Sequence, residues 1–437
     1  VEDFLEEKKN VSSLAGCFAA KLAQNSGIGL ETKKFTVSHA GKQHSYHLAH
    51  ALLQLGVLQG FYTSSYVESP LLQSLILRSG NQFFSRRFKA GLASPYVHSH
   101  WGYELKEFWM RKRYGKTLAV QNQVYQRDTD FDLMMARKLP SLASTHFWGF
   151  QGSCHASLSA ARASGKTAIC ELATAHVVQA RKILSEEAKL LPEWADSIDN
   201  LYFPAAYEKR LEEEPFLADH VVAASRFTQW TLEASGLNPA KISVLPLGFE
   251  AEKIPFSQGV AGFGKRPLRL LYAGTVTQRK GIAYLLDAVE KFDKRDVELH
   301  IIGGIQGSGS AFLKRSHLYT HHLPVSQSEL FARYGDYDAL VLPTVFEGFG
   351  LVIVEAMAAG LPVITTSHSM GPDVITQAKN GYLVPIRDVE ALVSSISALQ
   401  KLTEPEYLQF RKEAREAALR FTWDRFRMEL ADLIRDF

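Results

Sequence analysis

Ala339-Leu340-Val341-Leu342-Pro343 reads as a strand, and Val352 to Gly360 reads as a helix. Phe346-Glu347-Gly348-Phe349-Gly350-Leu351 joins them. A strand that passes into a helix through a glycine turn belongs to an open parallel α/β sheet. In such sheets ligands bind outside the carboxyl ends of the strands, near helix N-termini, whose free N–H groups favour an anion such as phosphate. Gly348 and Gly350 let the backbone approach that ligand. Glu347, on the loop, can reach a neutral polyol. Glu355, one turn into the helix, can accept two hydroxyls. Sugar, diphosphate and ribose therefore fit in one line. The same residues would also serve as a plain strand-to-helix turn with a solvated carboxylate at each end.

The spacing from Glu347 to Glu355 resembles the E-x7-E motif of the family 4 retaining glycosyltransferases, which have the GT-B fold. The resemblance implies that Glu347 contacts the donor sugar, that the backbone of Gly348, Phe349, Gly350 and Leu351 approaches the diphosphate, and that Glu355 holds the ribose. It is strong from about Leu270 to Pro385 and looser over the N-terminal half.

A chain of 437 residues exceeds one ordinary core and suits two domains of ~200 residues. Its apolar and charged fractions are those of a globular protein. The net charge of +3 gives no footprint for nucleic acid. Cys17, Cys154 and Cys170 show no zinc spacing, and so few cysteines fit a reduced, cytoplasmic setting. Cys170 ends an apolar run and reads as a core residue. No apolar run reaches the ~20 residues of a membrane span.

Residues 1–32 read as an amphipathic extension with a glycine stop, assigned to no core. From Lys33 the pattern alternates strand and helix. Phe35 to Ser38 precedes the helix His44 to Leu55; Thr167 to Leu172 and His220 to Ala224 are further strands, and Ile242 to Pro246 closes the half. Residues 248–267 carry scattered Gly and Pro and read as a linker. Alternation restarts at Leu268, through Val297 to Ile302 and Ala339 to Leu342. The expected organisation is an α/β pair of Rossmann-like domains facing across a cleft: 33–247 for the acceptor, 268–415 for the nucleotide sugar. The resemblance adds that the last helix, 416–437, packs back on the N-terminal domain.

After the strand Leu270 to Ala273 comes Gly274-Thr275-Val276-Thr277-Gln278-Arg279-Lys280-Gly281. Two cations in such a loop suit a diphosphate, Arg with a planar fork and Lys as a mobile point charge. The resemblance gives Arg279 and Lys280 the role of neutralising the leaving diphosphate, and His176, just past the strand ending near Leu172, a contact to the donor sugar. Gly41 matches the family's first glycine loop, bordering acceptor and diphosphate. In the loop before the linker, Gly248 and Glu250 match the family and its Asn is absent. The Gly303 to Gly309 segment looks like a phosphate loop of irregular spacing, and Gly303 and Leu323 are expected to edge the nucleotide base. Asp336-Tyr337-Asp338 has the form of a metal motif, but its place before a strand is structural, so neither metal nor other cofactor is expected.

Two basic aromatic stretches, Phe83 to Lys89 and Phe108 to Tyr114, read either as helices with solvated charges or as a face toward a lipid-linked or polymeric acceptor on an anionic membrane. The sequence thus reads as a retaining glycosyltransferase of polysaccharide biosynthesis. It would move a sugar from a nucleotide diphosphate to a hydroxyl of a glycan, a lipid-linked acceptor or a small molecule, in the cytoplasm or peripherally at the inner membrane face. Two other readings stay open: a sugar-nucleotide 2-epimerase of the same fold, and a non-catalytic sugar-nucleotide binding protein.

Overall fold

A computed structural model describes residues 32–41, 44–79, 87–92, 94–115, 118–198, 203–256 and 262–437. The N-terminal extension, Lys42, Gly259 and Phe83 to Arg86 fall outside the described residues. The chain divides into two compact units, residues 1–169 with 427–437, and residues 170–426.

Thirteen described strands form two sheets. The first contains β1 (Phe35–His39), β2 (Leu58–Thr63), β3 (Val97–Ser99), β4 (His146–Phe150), β5 (Thr167–Leu172), β6 (His220–Ala223) and β7 (Ile242–Val244), in the order β3-β2-β1-β4-β5-β6-β7. The second contains β8 (Leu268–Ala273), β9 (Val297–Ile302), β10 (Thr320–His322), β11 (Ala339–Leu342), β12 (Val363–Thr366) and β13 (Gly381–Val384), in the order β10-β9-β8-β11-β12-β13. The pairings are parallel, as strand-helix alternation requires. In both sheets the order reverses beside the first strand, and that is where open α/β sheets form their binding crevice.

Parallel strands covered on both faces need near-continuous apolar sequence. β11 meets that demand, and all of β12 is buried too, its Thr365 and Thr366 hydroxyls donating to the Leu342 and Thr344 carbonyls. β5 is likewise buried from Ala168 onward, with Cys170 fully buried and Glu171 its one charged residue. The segment expected as a loose linker is partly packed: Ile254 and Phe263 are buried, and the Phe263 ring lies 3.7 Å from that of Tyr407.

The end of the chain belongs to the first unit. Lys33 Nζ donates to the carbonyls of Ile434, Arg435 and Phe437 at 2.6–2.8 Å. A cation suits the orphan carbonyls at the end of the helix Trp423–Leu433. Within the second unit Gly248 lies against Trp423: a Cβ there would stand 2.6 Å from the indole ring. Gly248 thus has a packing reason to be glycine.

Candidate active site

The turns after β8 and β11 are bound together in the second unit. The carbonyl of Arg279 accepts from the N–H of Val345 (2.9 Å) and of Phe346 (3.2 Å) and from Thr344 Oγ1 (3.1 Å). Gly281, at φ 71°, sits so close to Pro343 that a Cβ would be 1.9 Å from the Pro343 carbonyl oxygen, so only glycine closes this turn.

This clamp brings three charged side chains together. Arg279 Nη1 donates to Glu347 Oε2 at 3.0 Å and to the Phe346 carbonyl at 3.0 Å. Lys280 Nζ is 3.5 Å from the same Glu347 oxygen and lies over Gly274, where a Cβ would stand 2.9 Å from it. Burial disfavours the Glu347 carboxylate, but Arg279 and Lys280 outweigh it and hold its pKa below the ordinary value. Glu347 Cγ also faces Gly350, the start of the helix Leu351–Ala358; Gly350 has φ 87°, and no side chain caps the first N–H groups of that helix.

Gly348 packs against the segment leading to His176. A Cβ would meet the Thr174 Cα at 2.3 Å, and the Gly348 carbonyl accepts from Ser225 Oγ and Thr228 Oγ1. Phe349 is buried, and its carbonyl accepts from the N–H of Met370. Leu351 is partly exposed. Glu355 is largely buried, with Gln327 Nε2 donating to its Oε1 at 2.8 Å; burial raises its pKa against the effect of Gln327. Gly303 crosses Gly274 so closely that a Cβ would be 1.8 Å from the Gly274 carbonyl oxygen. Leu323 follows β10 and is 76% exposed, which suits an apolar edge to a flat ring.

His176 has partners other than a sugar. It is the N-cap of the helix Val177–Leu190, and burial lowers its pKa. Nδ1 lies 2.9 Å from Ser235 Oγ and Nε2 3.3 Å from the Glu212 carbonyl. Both ring nitrogens are therefore engaged by protein, and the residue pins the segment that touches Gly348. Gly41 belongs to the other unit, where its N–H donates to His39 Nδ1 at 3.1 Å.

Two other expected features have structural partners. Ser308 N–H, in the glycine-rich loop, donates to Asp196 Oδ2 at 2.8 Å, and Gly307 packs on the Asp196 backbone. Asp338 is fully buried against Arg266, at 2.7 Å. Among the described residues no group of three or more His, Cys, Asp or Glu could hold a metal ion.

Sequence reasoning passed over the residues that hold the basic turn from behind. Gln278 is fully buried; its Nε2 donates to Glu187 Oε1 at 2.7 Å and its Oε1 accepts from the N–H of Ala283 at 2.9 Å. The N–H of Gln278 donates to Ser197 Oγ, and Thr277 Oγ1 to the Ser197 carbonyl. Glu187 is also fully buried and pairs with Arg387 Nε at 2.7 Å. In sequence Glu187 follows Ser185 and Glu186 and looks like a solvated helix face. His368 was missed too: its carbonyl accepts the Glu347 N–H, and its ring stacks on Phe227 at 4.7 Å.

Residues 267–401 match the family model for glycosyl transferases group 1. The match assigns a glycosyl transferases group 1 domain to these residues. The phosphatidyl-myo-inositol mannosyltransferase of Mycobacterium leprae is 30% identical over 181 residues, 39% of this chain and 46% of that protein. The amylovoran biosynthesis glycosyltransferase AmsK of Erwinia amylovora is 30% identical over 192 residues, 40% of this chain and 46% of the relative. The chain spans about half the length of the curated relatives it matches. The solved structure of HepE from Anabaena, in complex with UDP and glucose, superposes over 93% of this chain and 100% of that one, with a TM-score of 0.58 at 12% identity. At that identity the likeness concerns the fold alone, and that fold is GT-B.

Proposed function

We propose that this chain is a retaining glycosyltransferase that moves a sugar from a nucleoside-diphosphate sugar to a hydroxyl acceptor. The observation that carries the reading is the convergence of Arg279 and Lys280 on Glu347, at the carboxyl ends of β8 and β11 and beside the uncapped helix start at Gly350. The diphosphate would take the two cations and the first N–H groups of that helix. Glu347, released from the cations, would turn to the donor sugar, and Glu355 would accept from the ribose hydroxyls. The positive charge then sits where the leaving diphosphate gains negative charge, which is electrostatic stabilisation of the transition state. The leaving phosphate oxygen would deprotonate the acceptor hydroxyl on the face it departs from, so the configuration is retained. Two fixed cations supply the charge that a metal would otherwise bring, so no metal is required.

The group 1 family and the named transferases among its relatives support transfer over epimerisation or mere sensing. The UDP complex of HepE supports a nucleoside-diphosphate donor. His176 would act by positioning the Thr174 segment against Gly348. The first unit supports a peripheral membrane contact for a glycan or lipid-linked acceptor. The helix Gly102–Tyr114 exposes Phe108, Trp109 and Tyr114 beside Lys112 and Arg113, and the helix Pro70–Ser79 exposes Leu71, Leu72 and Leu75. Failure to co-sediment with anionic vesicles at low salt would remove that contact.

The test of donor class is thermal stabilisation by UDP, GDP, ADP and dTDP, for wild type and Glu355→Ala. A ligand at ~100 times its dissociation constant adds roughly 2.7 kcal/mol. One nucleotide is expected to stabilise wild type and to lose most of its effect in the variant. No shift with any nucleotide would overturn the reading.

A further inference from the structure

Glu355 does not offer a ligand both of its oxygens on equal terms. Its Oε1 already accepts from Gln327 Nε2 at 2.8 Å. Its Oε2 makes no hydrogen bond among the described residues. The residue is only 7% exposed, yet Oε2 is not sealed from solvent, in contrast to the buried hydroxyl of Tyr334. Gln327 is the exposed first residue of the helix Gln327–Arg333. An ionised carboxylate only accepts, so the amide is oriented with its nitrogen on Glu355. That orientation leaves the Gln327 carbonyl oxygen without a partner among the described residues, on an exposed side chain.

The backbone that carries Gln327 is fixed. Ser326 Oγ caps the helix by accepting from the Glu329 N–H at 3.2 Å, and the Ser326 carbonyl accepts from the Leu330 N–H at 2.9 Å. The same segment carries the exposed Leu323 and also Pro324, whose Cγ would stand 3.4 Å from a Cβ on Gly304. The expected edge of the nucleotide base and the open amide oxygen thus come from one stretch of chain, 323–327.

Two open acceptors on two side chains, tied together by a hydrogen bond, match a vicinal diol, which presents two donors on adjacent carbons. We propose that Gln327 completes the ribose site: Glu355 Oε2 accepts one ribose hydroxyl and the Gln327 carbonyl oxygen accepts the other, so the donor is a ribonucleoside rather than a deoxyribonucleoside diphosphate sugar. The proposal rests on the transferase reading, which places the ribose at Glu355, and adds a residue and a discrimination to it. A deoxy analogue would strand one acceptor without a donor, and a site built to hydrogen-bond a hydroxyl rejects a ligand that lacks it. The amide N–H also opposes the rise that burial imposes on the Glu355 pKa, which favours the ionised, accepting form.

The experiment is calorimetric titration of the full chain and of Gln327→Met with UDP, GDP, ADP and dTDP, then with the 2′-deoxy and 3′-deoxy analogues of each ribonucleotide that binds. Titration above neutral pH keeps Glu355 ionised in both proteins. Methionine is close to glutamine in length and removes both hydrogen-bonding groups. A melt like that of wild type is expected, because Gln327 is exposed. Gln327→Met should bind the ribonucleotide roughly tenfold more weakly than wild type. It should bind one of the two deoxy analogues as well as wild type does, because the hydroxyl that Gln327 meets is already missing there. Equal weakening of all three ligands would mean that Gln327 only holds Glu355 in place, and would overturn the proposal. So would an unchanged affinity for the ribonucleotide, or dTDP as the one ligand bound. Those results would leave the transferase reading intact, whereas binding of none of the four nucleotides by wild type would overturn that reading and the proposal with it.

Discussion

Arg279 Nη1 donates to Glu347 Oε2 at 3.0 Å, so the motif glutamate is the counter-ion of the basic turn. Two cations share this one carboxylate, since Lys280 is 3.5 Å from the same oxygen. A diphosphate that engages both cations must compete with Glu347 and frees it when it wins. One side chain would thereby neutralise the turn before the donor arrives and bind the sugar afterwards.

Lys280→Ala should lower turnover by ~100-fold or more, the scale of losing one preorganised electrostatic stabiliser. Its effect on the melting temperature should be small, because the Lys280 ammonium meets only Glu347 and the space over Gly274 among the described residues. Arg279→Ala should lower turnover as well and also destabilise, since Arg279 Nη1 holds the Phe346 carbonyl. Product formation and a thermal melt on both variants check the contrast. Near-normal turnover in Lys280→Ala would remove the charge-stabilisation role.

Glu347→Gln separates binding from transfer. Without the carboxylate, a nucleoside diphosphate meets two uncompensated cations and should bind as well as to wild type or up to about tenfold tighter. Turnover should fall by ~100-fold, because the group proposed to turn to the sugar has changed. Calorimetry with the nucleotide and an initial-rate assay give the two numbers. Weaker nucleotide binding in the variant would mean that Glu347 does not compete with the diphosphate.

The strands that frame this site were legible because strands covered on both faces carry mostly apolar residues. β8, β9 and β11 fall where the apolar runs place them, from Leu268, Val297 and Ala339. β10 was missed: Thr320-His321-His322 is a short polar edge strand, and nothing in its composition marks it as extended. The pairing of Arg279 with Glu347 was not legible, although each residue was singled out. Both sit in loops, and the contact depends on how the turns after β8 and β11 interlock through the Arg279 carbonyl. Glu187 and Gln278 carried still less signal. A buried carboxylate with a distant arginine looks in sequence like any charged helix position.

That buried carboxylate makes Arg387 a structural prediction. Glu187 and Gln278 are fully buried, and Arg387 Nε closes the pair at 2.7 Å. Arg387→Met would leave Glu187 charged and unpaired, which costs about 3–5 kcal/mol for a buried pair. The double variant Arg387→Met, Glu187→Gln should recover much of that loss, since it removes the stranded charge and leaves an amide that can still meet Gln278. Melts of the single and double variants form the cycle. A double variant no more stable than Arg387→Met would show that the charge is not what the pair controls.

Asp373 gives the second unit a pH dependence of definite sign. Its carboxylate is buried at the short helix Gly371–Val374, and burial pushes its pKa up from 3.8 to about 6, against the pull of the Arg226 N–H and guanidinium. Because the folded pKa is the higher one, the folded state binds more protons than the unfolded state between these values. Stability contributed by this group is therefore full below about pH 3.8 and falls as pH rises toward 6; above that the penalty is constant. The gap corresponds to about 3 kcal/mol at 1.36 kcal/mol per pH unit, as an upper figure. Asp373→Asn keeps an acceptor for the Arg226 N–H and removes the charge, so it should be more stable than wild type at pH 7. The advantage should shrink steadily on acidification and be largely gone near pH 4. Chemical denaturation of both proteins across this range measures it. A variant that is less stable at pH 7, with a difference that does not change with pH, would mean that the Arg226 ion pair outweighs burial and that the folded pKa is not raised.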